Sequence, residues 1–236
     1  MRWQKLLRAA YRRGDRIRGG GIAAALSALV LFTAMNPAQA QNVPHIRDAQ
    51  DPNNVWSADG LSTRCGMSPE EFAKFYPPLM AWIRAILTAS AHMAQPVASR
   101  GFSRLPFYFS DETLASTKVV LVDPLPVPPL TSMGLERFAD FERGNFDGIT
   151  YMDTFFLKPI QSDNENIYFH ELVHVIQWRL LGPDHFLFSY ANGLECFGYR
   201  QSPLEAMAYD AETAFVSSTA VFNVEKLVAE KFPTTR

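Results

Sequence analysis

The sequence lacks an apolar run long enough to cross a bilayer comfortably, because a spanning helix requires about 20 apolar residues. The apolar stretch at 22–35 is shorter, follows seven Arg and Lys residues, and precedes the small-x-small site Ala38-Gln39-Ala40. These features predict that residues 1–40 are a signal peptide for export, to the periplasm or to the outside of the cell. An uncleaved anchor is the alternative. After cleavage we expect no stable membrane span.

The rest of the chain lacks an excess of positive charge. The first forty residues hold seven of the 22 basic residues and one of the 24 acidic residues, which leaves 15 basic against 23 acidic and a net charge of −8. A surface of this sign repels phosphate backbones and anionic lipid heads. We therefore expect no nucleic-acid partner and no binding to a membrane surface.

Cysteine is also scarce, since Cys65 and Cys196 are the only two. In an oxidising compartment the two can form a disulfide, because such bonds persist outside the cytosol. The alternative is a pair of separately buried thiols.

Internal repeats and low-complexity tracts are absent, and the residues after position 40 suit one domain. We predict an extended leader at 41–64 and a single domain at 65–236. Its first predicted element is a helix at 68–94, broken or kinked at Pro77-Pro78. Strands are predicted at 105–109, 118–122 and 148–157, with a surface loop at 124–129. A central helix from Asp163 or Asn164 to Gly182-Pro183 follows, then a loop rich in aromatics, a helix opening at Ser202-Pro203, and a helix at 224–231.

The central helix carries the sequence HELVH at 170–174. His170 and His174 are four residues apart and lie on one face of a helix, so both imidazoles can bind one Zn²⁺. Glu171 lies beside the metal and can take a proton from a zinc-bound water. Two hydrogen-bonded core histidines are the alternative interpretation of the motif.

This helix and the acidic helix after Pro203 resemble the gluzincin group of zincin metallopeptidases, in which HExxH is completed by a Glu tens of residues later. The resemblance covers about 45 residues and implies that Glu205 is the third Zn²⁺ ligand. Ser202 and Glu205 also have the spacing of a capping box, in which Glu205 folds back onto the helix start. Asp210, Glu212 and His185 remain alternative ligands, and Asp210 can instead accept the free N–H of a ligating imidazole.

A residue that stabilises the oxyanion is also expected between the two helices. The candidates are His185, Tyr190, Tyr199 and Arg200, of which we favour Tyr199. The strand predicted at 148–157 is the candidate for the rim of the cleft, where it would pair with an extended peptide substrate. An internal strand without an open edge is the alternative.

Together these features predict a zincin-like α+β domain, with a small mixed β-sheet packed on the central HExxH helix and additional helices around it. The expected function is that of an exported zinc-dependent metallopeptidase, which cleaves a peptide or protein substrate with Glu171 as general base. The alternatives are a zinc-stabilised binding or regulatory module of the cell envelope without catalysis, and an envelope scaffold in which HELVH is coincidental.

Overall fold

A computed structural model describes residues 66–217 and 220–232. The predicted signal peptide at 1–40 and the predicted leader at 41–64 lie outside these residues. Cys65 also lies outside them, so its disulfide with Cys196 stays a prediction.

The described chain forms helices around one small sheet, which is compatible with the predicted α+β class. The helices are α1 (Pro69–Ser90), α2 (Asp111–Ser116), α3 (Ala139–Glu142), α4 (Glu165–Phe197), α5 (Pro203–Ser217) and α6 (Val224–Lys231). The strands are β1 (Gln95–Pro96), β2 (Lys118–Leu121), β3 (Gly148–Tyr151) and β4 (Thr154–Leu157). Short 3-10 turns connect several of them. Among the described residues, no helix is both long and apolar enough to cross a membrane.

Helix α1 begins where the sequence predicts it. The Ser68 side chain accepts a hydrogen bond from the Glu71 backbone N–H, and Pro69 occupies the first turn, where its missing N–H costs nothing. The helix is assigned as continuous through Pro77 and Pro78, which we expected to break or kink it. The two carbonyls that lose their helical N–H partner belong to residues 73 and 74, which are exposed and therefore within reach of water.

The sheet has the strand order β1-β2-β4-β3 and mixes both directions of pairing. Strands β2 and β4 are parallel, while β1 pairs with β2 and β3 pairs with β4 in the antiparallel sense. All four residues of β4 are buried, as expected for the strand between two neighbours. Strand β3 therefore forms one edge of the described sheet, on the side where α4 packs.

Three predictions about the region before α4 require correction. The segment 105–109 is not a strand but a 3-10 helix (Leu105–Phe107) followed by a turn, because Pro106 fits a helix start and the buried Leu105, Tyr108 and Phe109 recur at helical spacing. The single strand at 148–157 is a hairpin, whose turn contains Met152 with a φ of 58°. The segment 124–129 is a loop as predicted, but only Pro124 is exposed, while Leu125 and Pro128 are buried and the other three residues are half-buried.

Helix α4 begins after Asn164, whose side chain caps it, and it bends at Gly182, where φ is 75° and ψ is 162°. We name its two segments α4a (165–181) and α4b (183–197). The predicted stop at Gly182 is correct, but the predicted aromatic loop after it is wrong. Pro183 opens a new helical segment, since proline suits the first turn of a helix.

The main core surrounds α4a, most of whose residues from Tyr168 to Trp178 are buried and apolar. Phe169 stacks on Phe215 of α5 with ring centroids 4.3 Å apart, and Tyr108 and Phe222 meet these rings edge to face. Close approach of α5 to α4a is helped by the small residues Ala208 and Ala211, which are fully buried. This packing fixes the position of α5 relative to α4a.

We predict that Phe215→Ala lowers the free energy of unfolding by about 3 to 5 kcal/mol, because it leaves a cavity in a fully buried aromatic cluster. Phe107→Ala is the control, since this phenylalanine is 60% exposed and its loss should change stability by less than about 0.5 kcal/mol. Urea denaturation measures both. Equal effects of the two substitutions would contradict the packing described for α5.

Candidate metal centre

His170 and His174 lie on the buried face of α4a with their Nε2 atoms 3.2 Å apart. The four-residue spacing brings the rings together, because one helical turn separates them. Both imidazoles are buried by the helices and the sheet that pack on α4a. The predicted juxtaposition of the two rings is therefore present.

Glu205 of α5 reaches the same point. Its Oε2 lies 3.5 Å from His170 Nε2, and its Oε1 lies 3.4 Å from His174 Nε2. The side chain is 2% exposed, and Oε2 has no hydrogen-bond partner among the described residues. The Glu205 carboxylate faces the imidazoles. In a capping box it would instead accept from the Ser202 backbone N–H, but this N–H donates to the Tyr199 carbonyl. His170, His174 and Glu205 thus form a buried group that could hold a metal ion.

The outer nitrogens of both rings have partners that fix their protonation. His170 Nδ1 lies 3.1 Å from a carboxylate oxygen of Glu212, which accepts its proton. His174 Nδ1 lies 2.8 Å from Gln177 Oε1, and the orientation of this amide is fixed because Gln177 Nε2 donates to the Leu204 carbonyl. Both Nδ1 atoms therefore act as donors, which leaves the Nε2 lone pairs free for a ligand.

Two imidazole nitrogens and a carboxylate that converge in a buried site could hold a cation between them. The two Nε2 atoms lie 3.2 Å apart, His174 Nε2 lies 3.4 Å from Glu205 Oε1, and His170 Nε2 lies 3.5 Å from Glu205 Oε2. Tetrahedral coordination with bonds of 2.0 to 2.1 Å separates neighbouring ligand atoms by about 3.3 Å. The spacing and the donor types of this group therefore fit a zinc ion.

A proton is another cation that meets the same need. Burial opposes a charge on His170, but the Glu205 and Glu212 carboxylates outweigh it and raise the pKa of His170 to about 10. Burial likewise opposes ionisation of Glu205, yet the two imidazoles hold the pKa of Glu205 well below its usual range. Both shifts arise from the close approach of the imidazoles and the carboxylates.

Glu171 lies next to this group but is not part of it. The Thr150 hydroxyl on β3 donates to Glu171 Oε2 at 2.5 Å. The other oxygen, Oε1, lies so close to Gly148 that a Cβ at this position would collide with it. Burial raises the pKa of Glu171, although His170, His174 and the Thr150 hydroxyl partly counteract it. The predicted position of Glu171, beside the site, agrees with this arrangement.

The four oxyanion candidates have different surroundings. Tyr199 lines the same chamber as Glu171, His174 and Glu205, and burial raises its pKa, so its hydroxyl remains protonated. Tyr190 donates to Glu205 Oε1 at 2.6 Å and so supports the proposed ligand. The exposed side chain of His185 lies near Asp184, and Arg200 stacks on Tyr209. The role of Tyr199 stays a prediction.

The sequence analysis missed some residues of the site and assigned a different role to others. Glu212, considered as a ligand, instead contacts Nδ1 of His170, whereas Asp210, considered for that contact, is exposed. Glu212 follows Glu205 by two helical turns, a spacing that would have placed both on one face. Gln177 follows His174 by three residues, which is a similar signal. Thr150 and Gly148 carried no such signal, because a hairpin brings them to Glu171.

A chamber that is partly open to solvent adjoins the centre. Glu171, His174 and Glu205 line one part of it, together with Tyr190 and Tyr199. The other walls are mainly aliphatic and aromatic side chains from α1, the segment 128–146 and α4b. The site is therefore accessible from a chamber with mainly apolar walls, as is usual for ligand pockets.

Comparison of the chain with protein-family models, with curated proteins and with solved structures gives no match.

We predict that metal affinity distinguishes three acidic residues of α5. Glu205→Ala removes a ligand and should abolish stoichiometric zinc binding. Glu212→Ala removes the partner of His170 Nδ1 and should weaken binding about 10- to 100-fold. Asp210→Ala, at an exposed position, should change nothing. Titration of the full-length variants against a zinc chelator measures all three, and equal affinities would contradict the assignment of the ligands.

Proposed function

We propose that this protein is an exported zinc-dependent metallopeptidase with a zincin-like fold, which cleaves amide bonds. The observation that carries the proposal is the convergence of His170 Nε2, His174 Nε2 and the Glu205 carboxylate at distances of 3.2 to 3.5 Å. A second buried carboxylate, that of Glu171, stands next to this group without joining it. Export rests on the sequence pattern of residues 1–40, which lie outside the described residues.

The donor set favours zinc over other divalent ions. Two imidazoles and one carboxylate are the ligands found in many catalytic zinc sites, whereas Mg²⁺ and Ca²⁺ prefer oxygen ligands throughout. Three protein ligands leave a coordination position open, as catalysis requires. A zinc ion bound here would polarise the substrate carbonyl and lower the pKa of a bound water to about 7.

Glu171 is the group that we assign to proton transfer. Its carboxylate is held on one side by the Thr150 hydroxyl and on the other by the close approach of Gly148. A general base that is fixed in this way needs no reorganisation during the reaction. It would accept a proton from the attacking water and deliver it to the leaving amine.

The surroundings of the centre supply the other parts of a peptidase site. Strand β3 lies at an edge of the described sheet and carries Thr150 beside Glu171, so an extended peptide pairing with β3 would bring its carbonyl near the metal. Tyr199 lines the same chamber with a protonated hydroxyl, which suits it to donate to an oxyanion.

We predict that Glu171→Gln retains zinc but lowers hydrolysis at least about 100-fold, because the amide cannot accept a proton. Elemental analysis of the full-length protein measures the metal, and a quenched fluorescent peptide library measures hydrolysis. Glu230→Gln, at an exposed position of α6, is the matched control. A wild-type protein without zinc would overturn the proposed centre. Zinc without hydrolysis in the wild type, or equal activity in Glu171→Gln, would instead favour a non-catalytic module.

We also predict that Gly148→Ala lowers kcat about 10- to 100-fold while zinc content stays the same. The new methyl group would displace the Glu171 carboxylate, and a misplacement of about 1 Å can cost 100-fold in rate. Steady-state kinetics and elemental analysis of the same preparation measure the two quantities. Unchanged kcat with unchanged zinc would show that the position of Glu171 does not matter for the reaction.

A further inference from the structure

The chamber beside the metal centre is surrounded by a hydrophobic cluster of its own. This cluster, separate from the main core, contains Met67, Leu130, Leu135 and Phe138 together with the half-buried Phe72, Phe75, Leu79, Phe141, Ala191 and Leu194. Every one of these side chains also lines the chamber. The cluster is therefore a wall around a space and not a closed core.

The wall on α1 shows how far this space extends. Phe72, Phe75, Leu79 and Ile83 line the chamber from one face of the helix. At a rise of 1.5 Å per residue, the stretch from Phe72 to Ile83 spans about 16 Å. A single amino-acid side chain is too short to fill a space of this length.

The polar groups of the chamber are concentrated at the metal end. Among its described lining residues, the ionisable acids are Glu171 and Glu205, and both face the metal site. The Tyr190 hydroxyl donates to Glu205 Oε1, and the Tyr151 hydroxyl donates to the Pro126 carbonyl. Among the described residues that line the chamber around Met67 and Leu135, none has a charged or amide side chain. A ligand group in this part of the chamber must therefore be apolar.

We propose that the chamber receives a long linear aliphatic acyl chain, and that the bond hydrolysed is the amide that joins this chain to an amine. This inference rests on the proposed function and specifies its substrate class. Water adds to the acyl carbonyl, the C–N bond breaks, and the proton lost by the water passes through Glu171 to the amine. The products are a fatty acid, whose chain occupies the chamber, and an amine or peptide that leaves through the open side.

Chain length provides the first test. The substrates are N-acetyl, N-hexanoyl, N-decanoyl and N-tetradecanoyl derivatives of one dipeptide, assayed with the zinc-loaded full-length protein. Burial of each methylene contributes about 0.8 kcal/mol, so kcat/KM should rise about fourfold per added methylene until the chamber is full. Equal kcat/KM for the acetyl and decanoyl substrates would overturn the inference.

Two variants separate the chamber from the catalytic residues. Ala191→Phe places a ring in the chamber and should abolish the preference for long chains while hydrolysis of the N-acetyl substrate continues. Leu194→Ala enlarges the space and should shift the optimum to a longer chain. Ala81→Phe, the same change as Ala191→Phe but on the exposed face of α1, is the control and should behave as the wild type.

Binding of decanoate to the zinc-free protein, measured by displacement of a fluorescent fatty acid, tests the chamber without any hydrolysis. Binding that Ala191→Phe removes, without hydrolysis of any substrate, would support the chamber and overturn the proposed enzyme. Hydrolysis of unacylated peptides without decanoate binding would support the enzyme and overturn the acyl-chain inference.

Discussion

The site depends on one electrostatic constraint, the presence of two imidazole lone pairs and a carboxylate at one buried point. Burial of these three groups favours a bound positive charge, because an unpaired polar group is costly away from solvent. The packing of α5 on α4a maintains this arrangement. Fully buried Ala208 and Ala211 and the stack of Phe169 on Phe215 hold the helices close enough for Glu205 to reach both rings.

Two buried glutamates have pKa values shifted in opposite directions because their partners differ. Glu205 faces both imidazoles, which hold its pKa well below the usual range in spite of burial. Glu171 is buried as well, but it lies beside the imidazoles with a hydroxyl as its hydrogen-bond donor, and burial raises its pKa. Environments that separate the pKa values of two neighbouring carboxyl groups commonly assign them different roles. Here one is suited to bind a cation and the other to exchange a proton.

The sequence predicts the elements that local patterns determine. The starts of α1 and α4 follow from Ser68 and Asn164, and strand β2 and helix α6 follow from their apolar patterns. The approach of the two histidines follows from helical spacing alone. From the sequence, a ligand role for Glu205 could only be favoured over a helix-capping role, because the tertiary packing of α5 decides where the Glu205 side chain points. The hairpin β3–β4 was missed because Met152 adopts a left-handed φ without the Gly or Asn that usually marks such a turn.

Two of the segments where prediction failed contribute walls to the chamber. The segment 124–129 was expected at the surface, and residues 184–201 were expected to form a loop, yet Pro128, Phe186 and Tyr190 all line the chamber. Apolar residues around a ligand space have the same sequence pattern as residues of a core, so the pattern alone cannot reveal the space. The positive φ of Gly182 lets α4b leave the axis of α4a. One continuous stretch of chain thereby provides two of the three proposed metal ligands, His170 and His174, and part of the apolar wall of the chamber.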